Sequence, residues 1–142
     1  MTMQRLGALV LVFGLAACAD IPRDPNQTAD RVLQSQKLDV GVVSGSDSDE
    51  SRIIIDRLES LTGAKATIAE GEASLLVDRL EQGRLDLLIG SFAKNSPLKT
   101  SVTFSAPVGN RKVPANKPVI RAAMHPGENR WIMLVEKAVR RP

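Results

Sequence analysis

The sequence predicts an α/β domain with a small, open, mostly parallel sheet and flanking helices. Three short apolar segments, at 38–43, 65–69 and 85–89, are typical of strands, and segments with helical spacing separate them. Strands that alternate with helices in this β-α-β-α-β order favour parallel pairing with right-handed crossovers. An apolar segment at 119–124 and an amphipathic one at 129–140 add a C-terminal strand and helix.

Local signals mark the ends of the two crossover helices. Apolar residues recur at helical spacing from 54 to 61, Ser46 or Ser48 is available as the N-cap, and Gly63 follows the last turn. The second helix is predicted from about 72 to 82.

The remaining elements are less regular. Residues 91–116 lack periodicity, except that 102–104 is a candidate short strand. The last helix places its apolar side chains on one face, namely Trp131, Leu134, Val135 and Ala138.

The first 17 residues have the layout of a cleaved secretory signal. Arg5 is an early cation, an uncharged apolar stretch runs from 6 to 15, and small residues lead to Cys18. The apolar stretch is about half of the ~20 residues that a transmembrane helix needs. Leu15-Ala16-Ala17-Cys18 resembles the lipobox of bacterial lipoproteins, which implies cleavage before Cys18 and lipidation of its thiol. The alternative is an ordinary thiol in an apolar helix.

These features predict three parts of the chain: a signal peptide at 1–17, a lipidated N-terminus and flexible tether at 18–36, and one lobe at 37–142. Lipidation would anchor the protein in the cell envelope, facing the periplasm. Ala19 follows the cysteine, which favours the outer membrane if the host is Gram-negative. Removal of the signal peptide would take away Arg5 and leave a net charge of about +2, which predicts no nucleic-acid partner.

Ligands of open parallel sheets bind at the carboxyl ends of the strands. There the sequence places Ser44, Gly45, Ser46 and Asp47 after the first strand, Glu70 after the second, Ser91 and Phe92 after the third, and His125 to Glu128 after the fourth. Backbone N–H groups at 46–48 could bind an anion such as a carboxylate. The alternative is that these serines and acids only cap helices.

Catalysis and metal binding are not expected. His125 is the only histidine and Cys18 the only cysteine, and no acidic set has a recognisable ligand spacing. We therefore predict no cofactor, no metal and no enzymatic activity.

Three segments resemble the extracellular solute-binding proteins of ABC transporters, in particular their amino-acid-type branch, family 3. The segments are LEQGRLDLLIGSF, VTFSAPV and HPGENRWIMLVEKAV. The resemblance implies one lobe of a periplasmic binding protein, a small polar solute such as an amino acid or carboxylate, and an ABC permease as partner.

The chain departs from that family in two respects. Only about ten residues separate Pro107 from Pro118, so the second lobe that follows the Phe-Ser-x-Pro segment has no room. The arginine that grips a ligand carboxylate falls on Leu98, with Lys99 beside it as a point charge. We expect a one-lobed relative that binds a solute or, alternatively, an envelope interaction module that binds a protein partner or itself.

Overall fold

A five-stranded sheet lies at the centre of the molecule. The computed structural model describes residues 24–140. The strands are β1 (Lys37–Val43), β2 (Lys65–Gly71), β3 (Leu87–Phe92), β4 (Thr103–Phe104) and β5 (Val119–Met124). The helices are α1 (Thr28–Ser35), α2 (Asp49–Thr62), α3 (Ala73–Glu81) and α4 (Asn129–Arg140), with short 3-10 helices at Pro97–Thr100 and Val108–Asn110.

The strand order is β2-β1-β3-β5-β4, and the sheet is mixed. β1 pairs in parallel with β2 and β3, which confirms the predicted β-α-β-α-β unit and the α/β class. β5 pairs antiparallel with β3, and β4 antiparallel with β5. The connection from β3 to β5 contains β4 and two 3-10 helices, and it lacks the α-helix that usually joins parallel neighbours.

The antiparallel direction of β5 corrects one sequence-based expectation. Residues 125–128 follow β5 and were expected at the carboxyl edge of the parallel strands. They lie instead at the opposite edge, because β5 runs against β3. There His125 contacts the carbonyl of Pro126, and Glu128 is fully buried. These residues therefore do not join the other site candidates.

Two apolar layers cover the two faces of the sheet. Alternate side chains of β3 point to opposite faces, as strand geometry requires, so Leu87 and Ile89 pack with α1, α2 and α4 while Leu88 packs with α3. The predicted apolar face of α4 is buried at Trp131, Val135 and Ala138 and half-buried at Leu134. Both layers are continuous enough to form one domain.

α1 differs from the flexible tether expected at 18–36. Ala29 and Val32 are buried against the main apolar layer, so this helix belongs to the domain. The boundary predicted at residue 37 therefore moves to the N-terminal side of α1. Cys18 and the rest of the predicted tether and signal peptide lie outside the described residues. None of the helices within 24–140 is long and apolar enough to cross a membrane.

Glu128 holds the start of α1 although it lies 100 residues away in the chain. Its carboxylate accepts hydrogen bonds from the backbone N–H of Asn26 and, at 2.9 Å, from that of Thr28. Gln27, at the N-cap position, has a left-handed φ of 49° and makes no side-chain cap. The buried carboxylate thus caps the start of α1 in place of a local N-cap side chain.

Asp86 connects α1 to the sheet and to α4. Asp86 is 3% exposed. Its carboxylate lies 2.6 Å from Nη2 of Arg31 and accepts a 2.8 Å hydrogen bond from the N–H of Asp39. Its carbonyl accepts a 2.8 Å bond from Nε1 of Trp131. Burial raises the pKa of Asp86, and the bonds to Asp39 and Arg31 act in the opposite direction.

Replacing Glu128 with Ala should lower the free energy of unfolding by about 2–3 kcal/mol, because two backbone donors lose a charged, buried acceptor. Urea unfolding of the full chain, followed by circular dichroism, measures this. The matched control is Glu81→Ala at the exposed end of α3, which should change stability by less than about 0.5 kcal/mol. Equal effects of the two variants would refute the capping role.

Replacing Arg31 with Met should destabilise the fold more at pH 7 than at pH 4. A raised pKa means that the folded state favours the protonated Asp86, so its contribution is largest at low pH and declines as pH rises through the folded pKa. Loss of Arg31 raises that pKa further and should cost about 1–3 kcal/mol at pH 7, below the cost for a fully buried pair because Arg31 is half-exposed.

Urea midpoints at the two pH values test this expectation. The same substitution in an Asp86→Asn background serves as the control, because no carboxylate remains to titrate at that position. There the extra loss at pH 7 should disappear. A loss that is independent of pH in both backgrounds would contradict the role given to Asp86.

Candidate functional site

The turn between β1 and α2 is built for a tight change of direction. Gly45 has a φ of 81°, a value that favours glycine. The N–H of Ser46 donates a 2.8 Å bond to the carbonyl of Val43, which closes the turn. Ser48 is the N-cap, and its hydroxyl accepts a 3.2 Å bond from the N–H of Ser51. The capping prediction is confirmed for Ser48 and not for Ser46.

Ser46 joins this turn to the end of β3. It is buried, and its hydroxyl accepts a 3.2 Å hydrogen bond from the N–H of Ser91. Its carbonyl accepts a 2.6 Å bond from the hydroxyl of Ser51. Ser46 therefore positions the edge rather than facing solvent, whereas Ser44, Gly45 and the Ser91 side chain are exposed.

Asp47 and Glu70 lie on the wall of one pocket, between the start of α2 and β2. The pocket has a volume of about 240 Å³, and its other lining residues are Val42, Ser51, Arg52, Ile55 and Ile68. This volume is slightly below the ~300 Å³ at which ligand pockets usually begin. The structure thus brings together two of the seven predicted ligand-binding residues.

The charges of this pocket are two carboxylates and one guanidinium. Nη2 of Arg52 lies 3.5 Å from Oδ2 of Asp47, and both side chains are largely exposed. Because this ion pair is long and solvent-exposed, contacts with a ligand can replace it at little cost in free energy. Val42, Ile55 and Ile68 supply the apolar part of the lining.

Sequence reasoning missed Arg52 and Ile68 as members of this pocket. Arg52 lies in the first turn of α2, and Ile68 lies two residues before Glu70 in β2, on the same face of the strand. The two-residue spacing between Ile68 and Glu70 was the sequence signal that could have identified Ile68. Ile68 is 57% exposed.

Phe92 does not face the pocket. Its side chain is 6% exposed, and its ring packs on Phe104 with 5.1 Å between the ring centroids. The side chain of Phe92 therefore lies in the apolar layer with α3 and not with Asp47 and Glu70 at the pocket. Only its backbone lies at the edge.

By the sequence resemblance, the ligand-binding arginine of solute-binding proteins falls on Leu98, next to Lys99. Neither residue lines the pocket. Leu98 and Lys99 lie in the 3-10 helix Pro97–Thr100, where Leu98 packs against the layer with α3 and Lys99 is exposed. Within residues 24–140, no three His, Cys, Asp or Glu side chains are placed to share a metal ion.

No protein-family model and no curated protein sequence matches the chain. Among solved structures, it is similar to the arginine-bound form of domain 1 from TmArgBP, with a TM-score of 0.65 and 14% identity over 78% of this chain and 97% of that chain. A point mutant of the same arginine-bound domain also has a TM-score of 0.65 and 14% identity, over 79% and 95% of the two chains. The chain therefore has the fold of one lobe of a periplasmic binding protein.

Proposed function

We propose that this protein is a lipid-anchored, one-lobed solute-binding protein of the cell envelope that binds a small polar solute and catalyses no reaction. The observation that carries the proposal is the pocket with Asp47, Arg52 and Glu70 at the carboxyl edge of the sheet. Ligands of open α/β sheets bind at this edge.

A single lobe of this fold can hold a solute. The similar domain from TmArgBP is in its arginine-bound form, and this chain covers 95–97% of that domain's length. That example supports solute binding here without the clamshell closure that a second lobe would provide.

The lining of the pocket favours a solute of the amino-acid type. Asp47 and Glu70 would contact an ammonium or guanidinium group, and Arg52 would contact a carboxylate by its planar fork. The apolar side chains at positions 42, 55 and 68 would cover an aliphatic portion. A solute with both charges replaces the Arg52–Asp47 pair without leaving either group unpaired.

The anchor and the partner follow from the N-terminal sequence and the family resemblance. Lipidation of Cys18 would hold the lobe at the membrane, facing the periplasm, and in the outer membrane if the host is Gram-negative. An ABC permease is the partner that the resemblance implies. Cys18 lies outside the described residues; the N-terminal sequence supports the anchor, and the family resemblance supports the permease.

A second candidate function is an envelope interaction module. β2 is an edge strand of the sheet, and its outer edge pairs with no strand among residues 24–140. Ile68 is exposed on this strand, and β2 contains no proline to prevent pairing. Such an edge can pair with a strand of another protein or of a second copy.

Solute binding is tested by thermal unfolding of the full chain in detergent against amino acids, small carboxylates and sugars. One class of compound should give a saturable rise in midpoint. At about a hundred times its dissociation constant it should add about 2.7 kcal/mol, or several degrees. The double variant Asp47→Asn/Glu70→Gln should reduce the shift, whereas the control Asp78→Asn on the exposed face of α3 should not.

Light scattering on the same samples separates the two candidate functions. Absence of any shift, together with a stable dimer that Ile68→Lys converts to a monomer, would exclude solute binding and support the interaction module. A saturable shift in a monomer would support the solute-binding function.

The lipid anchor is tested by the Cys18→Ser variant. The wild-type protein should carry the mass of its lipid and stay with membranes through a salt wash, because stable anchoring needs about two acyl chains and a lipoprotein has three. The variant should remain unprocessed and lack that mass. Intact mass spectrometry decides the matter, and a wild-type chain without added lipid mass would refute the anchor.

A further inference from the structure

A second pocket, of about 430 Å³, lies between the last turn of α4, the segment 104–113 and β5. It shares no lining residue with the Asp47–Glu70 pocket. Its charged lining residues are mostly cations, namely Lys94, Arg111, Lys112, Arg121 and Arg140, with Glu136 as the acid. The pocket is therefore strongly positive.

Arg121 lines this pocket and is 4% exposed. Its Nε donates a 3.3 Å bond to the carbonyl of Phe92, and its Nη1 donates a 2.8 Å bond to the carbonyl of Ser105. Among the described residues, none accepts a hydrogen bond from Nη2, and no carboxylate forms an ion pair with Arg121. Burial lowers the pKa of Arg121, and the charge of Glu136 partly offsets this.

The two carboxylates near the pocket are already engaged. Glu136 accepts a 2.9 Å bond from the N–H of Ala106 and a 3.0 Å bond from Nε of Arg140. Glu50 pairs with Arg111 at 2.5 Å. In the part of the chain that the structure describes, Lys94 and Lys112 form no ion pair. No ion pair among the described residues therefore balances the positive charge of Arg121, Lys94 and Lys112.

A buried guanidinium that donates hydrogen bonds only to neutral carbonyls is costly, because burial removes its hydration and the charge of Glu136 compensates only in part. An anion from solution would remove that cost. Arginine binds phosphate oxygens through its planar fork, and lysines add charge without demanding a fixed geometry. Several converging cations favour a multiply charged group over a single carboxylate.

We propose that the pocket around Arg121 is an anion site that binds a phosphate group, carried by a small solute or by a lipid headgroup. The site is separate from the proposed solute pocket, so either can exist without the other. The phosphate would contact Arg121 through Nη2 and draw Lys94 and Lys112 from the rim.

Inorganic phosphate is the probe, and calorimetric titration of the full chain in detergent at constant ionic strength is the measurement. Phosphate should bind saturably where chloride does not. The double variant Lys94→Gln/Lys112→Gln should weaken binding about tenfold. Each of the two exposed contacts contributes up to about half of the binding free energy that a tenfold change represents. Arg121→Lys, which keeps the charge and loses the fork, should also weaken it, with circular dichroism confirming the fold.

Lys37→Gln/Lys65→Gln is the matched control. It removes the same charge from two exposed lysines that pair at the amino ends of β1 and β2, at the other edge of the sheet. This variant should bind phosphate like the wild type. No preference of the wild type for phosphate over chloride would overturn the proposal, as would an equal loss in the control variant.

Glycerol 3-phosphate and glycerophosphoglycerol distinguish the two sources of the phosphate. The first is a monoester that carries up to two charges, as in a free solute, and the second is the diester found in a phospholipid headgroup. Tighter binding of the monoester assigns the site to a solute, and tighter binding of the diester assigns it to a lipid. If neither compound binds and inorganic phosphate does not bind either, the proposal is overturned.

Discussion

The buried carboxylate of Asp86 is the interaction on which the rest of the domain depends. The carboxylate joins β1 at Asp39 and α1 at Arg31, and the backbone carbonyl of Asp86 joins α4 at Trp131. These three elements come from distant parts of the chain and meet at the start of β3. Because a buried charge tolerates few arrangements, the network fixes how α1 and α4 sit on the sheet more narrowly than apolar contacts alone would. The carboxyl edge is then positioned by a sheet whose opposite end is fixed.

Because α1 is part of the folded domain, it affects how the lobe would be presented at a membrane. α1 has a cap at Glu128 and two buried apolar residues, so the chain is held from the N-terminal end of this helix onward. Any tether to a lipidated Cys18 is consequently shorter than the sequence indicated. A lobe held close to the membrane has less freedom to turn, so the relative positions of its pockets and the lipid surface matter more.

The sequence predicted those elements whose signals are local. The bounds of β5 and α4 match the prediction because apolar spacing marks each element and the turn at Pro126 and Gly127 separates them. α1 was missed because its cap is Glu128 and its apolar face has only Ala29 and Val32. The direction of β5 has no local signal, and it decided where residues 125–128 lie. Asp47 and Glu70 were predictable as strand-end residues, whereas Phe92 was not, because strand alternation turned its ring into the core.

The mixed topology places two different chemistries on one edge of the sheet. Since β5 runs against β3, its first residues lie beside the end of β3, with Gly90 opposite Arg121. The edge therefore carries a pocket with two carboxylates at β1 and β2 and a basic pocket at β5. Residues 105–118 connect β4 to β5, where two-lobed members of the family that the chain resembles insert a second lobe. Here the connection between β4 and β5 supplies walls of the basic pocket.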